Sequence, residues 1–158
     1  MKTTMLTAAA AAVLLATTSL AFAHDPDLSP QNDSFIGQIG DYNTAYATQK
    51  NDNNDQDSIQ HGQHNYAMTT QTNAIADPND PDSKGRNNSW TGQFGRHNAA
   101  FTTQNTINGD AGGSNFSGVY QRGEDNTAVT TQASHEGLAN ASFTSQHGTG
   151  NVAYTLQH

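Results

Sequence analysis

One pattern recurs five times along this chain: a Gln, a Gly two residues later, an Asn five later, an Ala seven later and a Gln eleven later. The copies are Gln38, Gly40, Asn43, Ala45, Gln49; Gln60, Gly62, Asn65, Ala67, Gln71; Gln93, Gly95, Asn98, Ala100, Gln104; Gln121, Gly123, Asn126, Ala128, Gln132; and Gln146, Gly148, Asn151, Ala153, Gln157. Six residues ahead of each opening Gln stands another Asn: Asn32, Asn54, Asn87, Asn115 and Asn140. The copies begin 22, 33, 28 and 25 residues apart, and every difference falls between the closing Gln of one copy and the leading Asn of the next. A unit of fixed length, with insertions confined to one kind of loop, is the behaviour of a stacked-repeat chain in which each unit packs on its neighbours.

The spacing within a unit predicts its shape. The leading Asn, the Gln and the Gly lie at even separations, as do the second Asn, the Ala and the closing Gln, so each set belongs to one face of a strand. The phase changes after the Gly. There the chain reads Asp41-Tyr42, Gln63-His64, Arg96-His97, Glu124-Asp125 and Thr149-Gly150, mostly turn-tolerant pairs. Each unit is expected to be strand–arc–strand of about 18 residues, spanning 32–49, 54–71, 87–104, 115–132 and 140–157. The fold class expected is all-β, a β-solenoid of five such repeats with cross-β, amyloid-forming stacking.

Which face turns inward is decided by regularity. The invariant face carries amides and small residues, as in Asn87, Ser89, Thr91 and Gln93, then Asn98, Ala100, Thr102 and Gln104. At ~4.8 Å per rung each amide lies over a copy of itself, and small facing side chains leave no void. The alternate face carries Phe35, Tyr46, Trp90, Phe94, Phe101, Tyr120, Phe143 and Tyr154. Aromatics ordinarily go inside, yet one of their columns reads Phe35, Asp57, Trp90, Gly118, Phe143, which no narrow core accepts. The amide face is therefore assigned inward. One outer column is apolar in every unit (Tyr46, Met68, Phe101, Val129, Tyr154) and forms a ridge that marks association or reflects β-propensity alone.

The N-terminus reads as a leader. Met1-Lys2 is a positive start, Ala8 to Leu20 is an apolar run too short to span a bilayer, and Ala21-Phe22-Ala23 is an A-x-A cleavage pattern. Residues 1–23 are expected to be removed as a secretory signal peptide, leaving a short lead, 24–31, and the repeats, 32–157. There is no Cys, so an exported chain here forgoes disulfides. Six Lys and Arg face 14 Asp and Glu, and no basic stripe is present to displace counterions, which argues against nucleic acid. With charged residues at 13%, the Asn-, Gln-, Ser- and Thr-rich remainder fits either disorder or cross-β stacking, and the fixed period selects stacking.

No nucleophile elbow, phosphate loop or metal-hydrolase helix occurs, so no enzyme, cofactor or metal is expected. The connector Asp77-Pro-Asn-Asp-Pro-Asp82 gathers oxygen ligands but lacks the Gly and terminal Glu of a calcium loop. His64 and His97 share an arc position, yet two ligands are too few for a metal site.

The repeat resembles that of the curlin family, a Ser or Asn, five residues, then Gln-x-Gly-x-x-Asn-x-Ala-x-x-x-Gln, present about five times after a secretion signal. The match runs from Asn32 to Gln157. The leading residue is Asn throughout where the family usually has Ser, the lead His24–Gln31 is shorter than the family's pore-targeting segment, and the connector Thr72–Arg86 is long. The resemblance implies a structural subunit of extracellular curli-type fibres on a Gram-negative bacterium, serving adhesion, cell aggregation and biofilm matrix. It also implies periplasmic chaperones, export through an outer-membrane secretion pore, seeding by a minor nucleator subunit, and contact with surfaces or matrix components. A complete fifth unit and an acidic chain resemble the major subunit.

Two open ends expose unpaired backbone groups, so the unit 140–157 of one molecule is expected to meet the unit 32–49 of the next, a non-closing contact that makes a filament. Asp55 and Asp57 act as charge gatekeepers in the second unit, which is expected to slow assembly while the first and fifth units drive it. The competing reading is a monomeric secreted β-solenoid adhesin or ligand-binding surface module, which needs capped ends.

Overall fold

In the computed structural model the described residues are 11–12, 19–23, 32–51, 53–73, 85–107, 113–135 and 138–158. Among them the chain is all-β. Each of the five repeats supplies two consecutive strands: β3 (Asp33–Ile39) and β4 (Thr44–Lys50); β5 (Asn54–Gln63) and β6 (Tyr66–Thr72); β7 (Arg86–Arg96) and β8 (Ala99–Ile107); β9 (Ser114–Glu124) and β10 (Thr127–His135); β11 (Ala139–Thr149) and β12 (Val152–Gln157). The first strand of each pair joins one sheet, ordered β11-β9-β7-β5-β3, and the second joins the other, ordered β4-β6-β8-β10-β12. Each pair is thus one layer, with a strand in each of two facing sheets.

All neighbours in these two series are parallel and pair equivalent residues. Gln38 is opposite Gln60, Gln60 opposite Gln93, Gln93 opposite Gln121 and Gln121 opposite Gln146. In the other sheet Ala45, Ala67, Ala100, Ala128 and Ala153 stand in one line. Period-2 side-chain alternation makes such a register self-enforcing, because a slip of one residue would turn every amide outward.

Burial follows the alternation. Strand β8 alternates between half-exposed or exposed and buried residues from Ala99 to Ile107. The space between the sheets is narrow: its apolar residues are Ile36, Val119 and the alanines, and its largest fully buried side chains are mostly Gln and Asn. Between the paired strands, the arc Gly and the residue immediately before the second Asn of each repeat have positive φ. The Gly values run from 103° to 127°, and Tyr42, His64, His97, Asp125 and Gly150 lie between 54° and 71°. Two positive-φ residues separated by a single residue reverse the chain within a few positions, and Gly tolerates such φ without a Cβ penalty.

One arrangement departs from expectation. Residues 1–23, set aside as a leader, contribute β1 (Ala11–Ala12), antiparallel to β4, and β2 (Ser19–Ala23), antiparallel to β3 with Phe22 opposite Phe35. The first layer was expected to have no partner beneath it in its own chain. That holds only for a chain lacking residues 1–23. An edge strand with free N–H and C=O groups accepts whatever extended segment lies within reach, and here residues 11–12 and 19–23 supply it. At the other end β11 and β12 are edge strands with nothing paired beyond them among the described residues.

Candidate functional site

The four amide columns are hydrogen-bonded ladders. In the first, Gln38 donates to Gln60 at 2.5 Å, Gln60 to Gln93 at 2.7 Å, Gln93 to Gln121 at 2.9 Å and Gln121 to Gln146 at 2.8 Å. In the second, Gln49, Gln71, Gln104, Gln132 and Gln157 connect in turn at 3.1, 2.9, 2.9 and 2.6 Å. The third runs through Asn43, Asn65, Asn98, Asn126 and Asn151 at 3.1, 3.0, 2.9 and 2.8 Å. The leading residues Asn32, Asn54, Asn87, Asn115 and Asn140 form the fourth, at 2.9, 2.9, 2.8 and 3.2 Å.

Each amide also satisfies backbone groups. The second NH of Gln93 goes to the carbonyl of Tyr66, and that of Gln104 to the carbonyl of Asn88, so the glutamines tie the two sheets together across the core. The Oδ1 of Asn65 accepts both the backbone N–H and the side-chain NH of Asn98. A buried amide costs free energy unless every donor and acceptor finds a partner, and these columns supply one at nearly every atom. The core also has a flaw: the hydroxyls of Ser58, Ser89, Thr102, Ser117 and Thr130 are buried without a hydrogen-bond partner.

The arc glycines are fixed by close approach. A Cβ added at Gly40, Gly62, Gly95 or Gly123 would lie between 1.9 and 2.0 Å from the carbonyl oxygen of the next arc Gly. At Gly148 the nearest atom is the Asn151 amide at 3.7 Å, because no layer follows.

On the outside, Tyr46, Met68, Phe101, Val129 and Tyr154 are brought into one row by the register, half-buried at Tyr46, Phe101 and Val129 and exposed at Met68 and Tyr154. Tyr66, beside this row, contacts Tyr46 at 5.9 Å and Phe101 at 5.4 Å between ring centroids. The opposite sheet carries a cluster that the sequence reading passed over. Trp90 and Tyr120 stack with planes 3° apart, and Phe94 touches Tyr120 at 5.6 Å. Gly92 lies under Trp90 and Gly118 under Phe143, so close that a Cβ would meet the rings at 2.8 and 2.6 Å. The irregular column thus interlocks, with Gly making room for a neighbouring ring. The signal was present as Gly next to aromatics along and between strands. A second omission is the inward row Asn73, Thr106 and Ser134, two residues past the closing Gln, buried but variable in identity.

His64 and His97 lie 5.1 Å apart between ring centroids, and His97 Nδ1 is 3.5 Å from Asp125 Oδ1. Among the described residues no group of three or more metal-ligating side chains converges. The connector residues Asp77–Asp82 and the lead 24–31 lie outside the described residues. In the second layer burial, then Asp33, holds the Asp55 carboxyl above the usual carboxylate range, with Arg86 opposing. Burial, then Asp55 and Asp33, does the same to Asp57. Compared with protein families, characterised proteins and solved structures, the chain matches none.

Proposed function

We propose that the chain is a structural subunit of extracellular curli-type amyloid fibres, a five-layer β-solenoid that stacks end to end and serves cell adhesion and biofilm matrix. The observation that carries this reading is the set of four amide ladders running unbroken through all five layers and stopping, unpartnered, at the last. Parallel in-register strands with amide ladders and tight small-residue contacts are the construction principle of cross-β fibres. A monomeric surface module needs a finished last layer, whereas β11 and β12 have an open edge among the described residues.

Secretion, removal of residues 1–23, chaperoned passage to an outer-membrane pore and seeding by a nucleator belong to the same proposal. So does the outer ridge as the surface for lateral bundling or adhesion. Aged secreted protein should bind thioflavin and diffract with reflections at about 4.8 and about 10 Å. Lasting solubility as a monomer would overturn the fibre reading. Replacing Phe101 and Tyr154 by Ser should reduce bundling and surface attachment while fibres still elongate. Bundling and attachment that do not change leave the ridge without this role.

A further inference from the structure

The chain has no Cys, so no disulfide joins one layer to another. The outer face of the sheet that holds β4 and β6 carries a different pair of oxidisable side chains. Tyr46 lies on β4 in the first layer and Tyr66 on β6 in the second. In the register Tyr46 stands opposite Met68 and Thr44 opposite Tyr66, so the two tyrosines are diagonal neighbours across one layer boundary. Their ring centroids are 5.9 Å apart, with planes at 52°, which is ordinary aromatic contact. Both rings are half-buried, so each keeps part of its surface in solvent. The other tyrosines have different neighbours. Tyr42 stacks on His64 at 4.8 Å in the arc, Tyr120 lies among Trp90, Phe94 and His147, and Tyr154 is exposed in the last layer.

We infer that Tyr46 and Tyr66 are an oxidative cross-linking site, joined by a carbon–carbon bond when the protein meets a one-electron oxidant such as a haem peroxidase with hydrogen peroxide. Each phenol gives up one electron and its O–H proton. The two phenoxyl radicals pair at ring carbons ortho to the oxygens. The ring protons at the joined carbons then move to the oxygens and restore both phenols. One C–C bond thus replaces two ring C–H bonds, two electrons and two protons leave, and the peroxide O–O bond breaks to give two waters.

Met68 is the competing sink. Its sulfur accepts the Tyr66 O–H at 3.7 Å, it is exposed, and it is the only methionine beyond Met5. A two-electron oxidant adds an oxygen atom there and leaves a sulfoxide. That product gains an oxygen, whereas the tyrosine pair loses two hydrogens, so mass alone tells them apart.

The bond falls where the stack carries a repulsion. In the other sheet the same boundary sets Asp33 opposite Asp55, and like charges directly opposite on neighbouring strands destabilise a sheet. A link between residues 46 and 66 closes a short loop and removes conformations from the unfolded chain, as a disulfide does. The boundary opposed by charge on one face is thereby clamped on the other. The site follows from the packing of the first two layers and does not depend on the fibre reading.

The test treats the folded secreted protein with a peroxidase and hydrogen peroxide and then dissolves it in denaturant. Wild type should gain dityrosine fluorescence, lose two hydrogens within a single chain, and yield a proteolytic fragment that joins Tyr46 to Tyr66. Tyr46→Phe and Tyr66→Phe keep the rings and should each lose that fragment and most of the fluorescence. Tyr42→Phe and Tyr120→Phe should keep both, and Met68→Leu should keep the cross-link. Wild type oxidised while unfolded in denaturant should give a mixture of tyrosine pairs instead. Oxidised wild type should unfold at a higher denaturant concentration than oxidised Tyr66→Phe.

The wild-type fragment map decides the matter even where a variant folds poorly. Tyr46 joined chiefly to a tyrosine other than Tyr66, in the same or another chain, overturns the proposal. So does the same mixture of pairs from folded and unfolded protein, or oxidation that stops at Met68. A Tyr46–Tyr66 bond that leaves the denaturant midpoint unchanged overturns its role as a clamp.

Discussion

In the third layer Gln93, Asn98 and Gln104 are fully buried, and the arc at Gly95 touches the next glycine's carbonyl. In the fifth layer the matching residues Gln146, Asn151 and Gln157 are less covered, a Cβ at Gly148 would meet no backbone oxygen, and Phe143 and Tyr154 are 67% and 76% exposed. The residue types are nearly the same, so the difference comes from neighbours. A Gln inside the stack has a copy on each side, and a Gln at the end has one. The repeat is therefore a good core only when continued, and the same residue carries different energies by layer.

The arc glycines break this comparison most sharply. Gly95→Ala would put a Cβ at 2.0 Å from a backbone oxygen at a φ of 121°, and should abolish ordered stacking of the chain. Gly148→Ala meets no such oxygen and bears only the cost of its φ, about 1–3 kcal/mol. The folded chain should survive it while elongation at that end stops. Circular dichroism and a seeded growth assay read the two effects separately, and equal loss of structure in both variants would break the argument.

The glutamines come next. Gln93→Ala orphans its ladder neighbours Gln60 and Gln121 and the Tyr66 carbonyl. At about 1–3 kcal/mol for each buried unsatisfied group, a loss of about 3–5 kcal/mol is expected. Gln157→Ala, half-exposed with a single ladder neighbour, should cost about 1 kcal/mol. Denaturant midpoints of the assembled protein check the ratio. A smaller effect of opposite sign is expected where the core has unpaired hydroxyls. Ser117→Ala and Thr130→Val remove unsatisfied oxygens and should stabilise by about 1 kcal/mol.

Much of this was legible because the constraint is repetitive. Gln38 and its counterparts need copies of themselves, so their identity is fixed and the period shows. The arc Gly is equally visible, since a backbone contact near 2 Å from any Cβ tolerates no other residue. What stayed hidden is what varies between layers. Trp90 over Gly92 and Phe143 over Gly118 solve the same packing problem with different pairs, so no column repeats. The row Asn73, Thr106, Ser134 is buried and polar but changes size with its connector. The strand Ser19–Ala23 follows from an open edge, which no local pattern encodes. The direction of the ladders needs the backbone partners of each amide, and spacing alone is blind to them.

The smallest effect concerns the second layer, where the repeat carries charge. Asp33 and Asp55 are neighbours in the register, and Asp57 follows on the same outer face. Partial burial and mutual repulsion raise Asp55 and Asp57 above their ordinary value of 3.8. A carboxyl whose folded pKa exceeds its unfolded one binds more protons when folded. Stability then rises as pH falls through the raised pKa, and the gain is complete below about 3.8. The second layer, strained by charge at neutral pH, should therefore approach the others on acidification. An Asp55→Asn, Asp57→Asn variant should be more stable than wild type at pH 7, and the difference should narrow toward pH 4. If the difference stays constant with pH, removal of charge is not the cause, and the layers differ only in how completely their neighbours cover them.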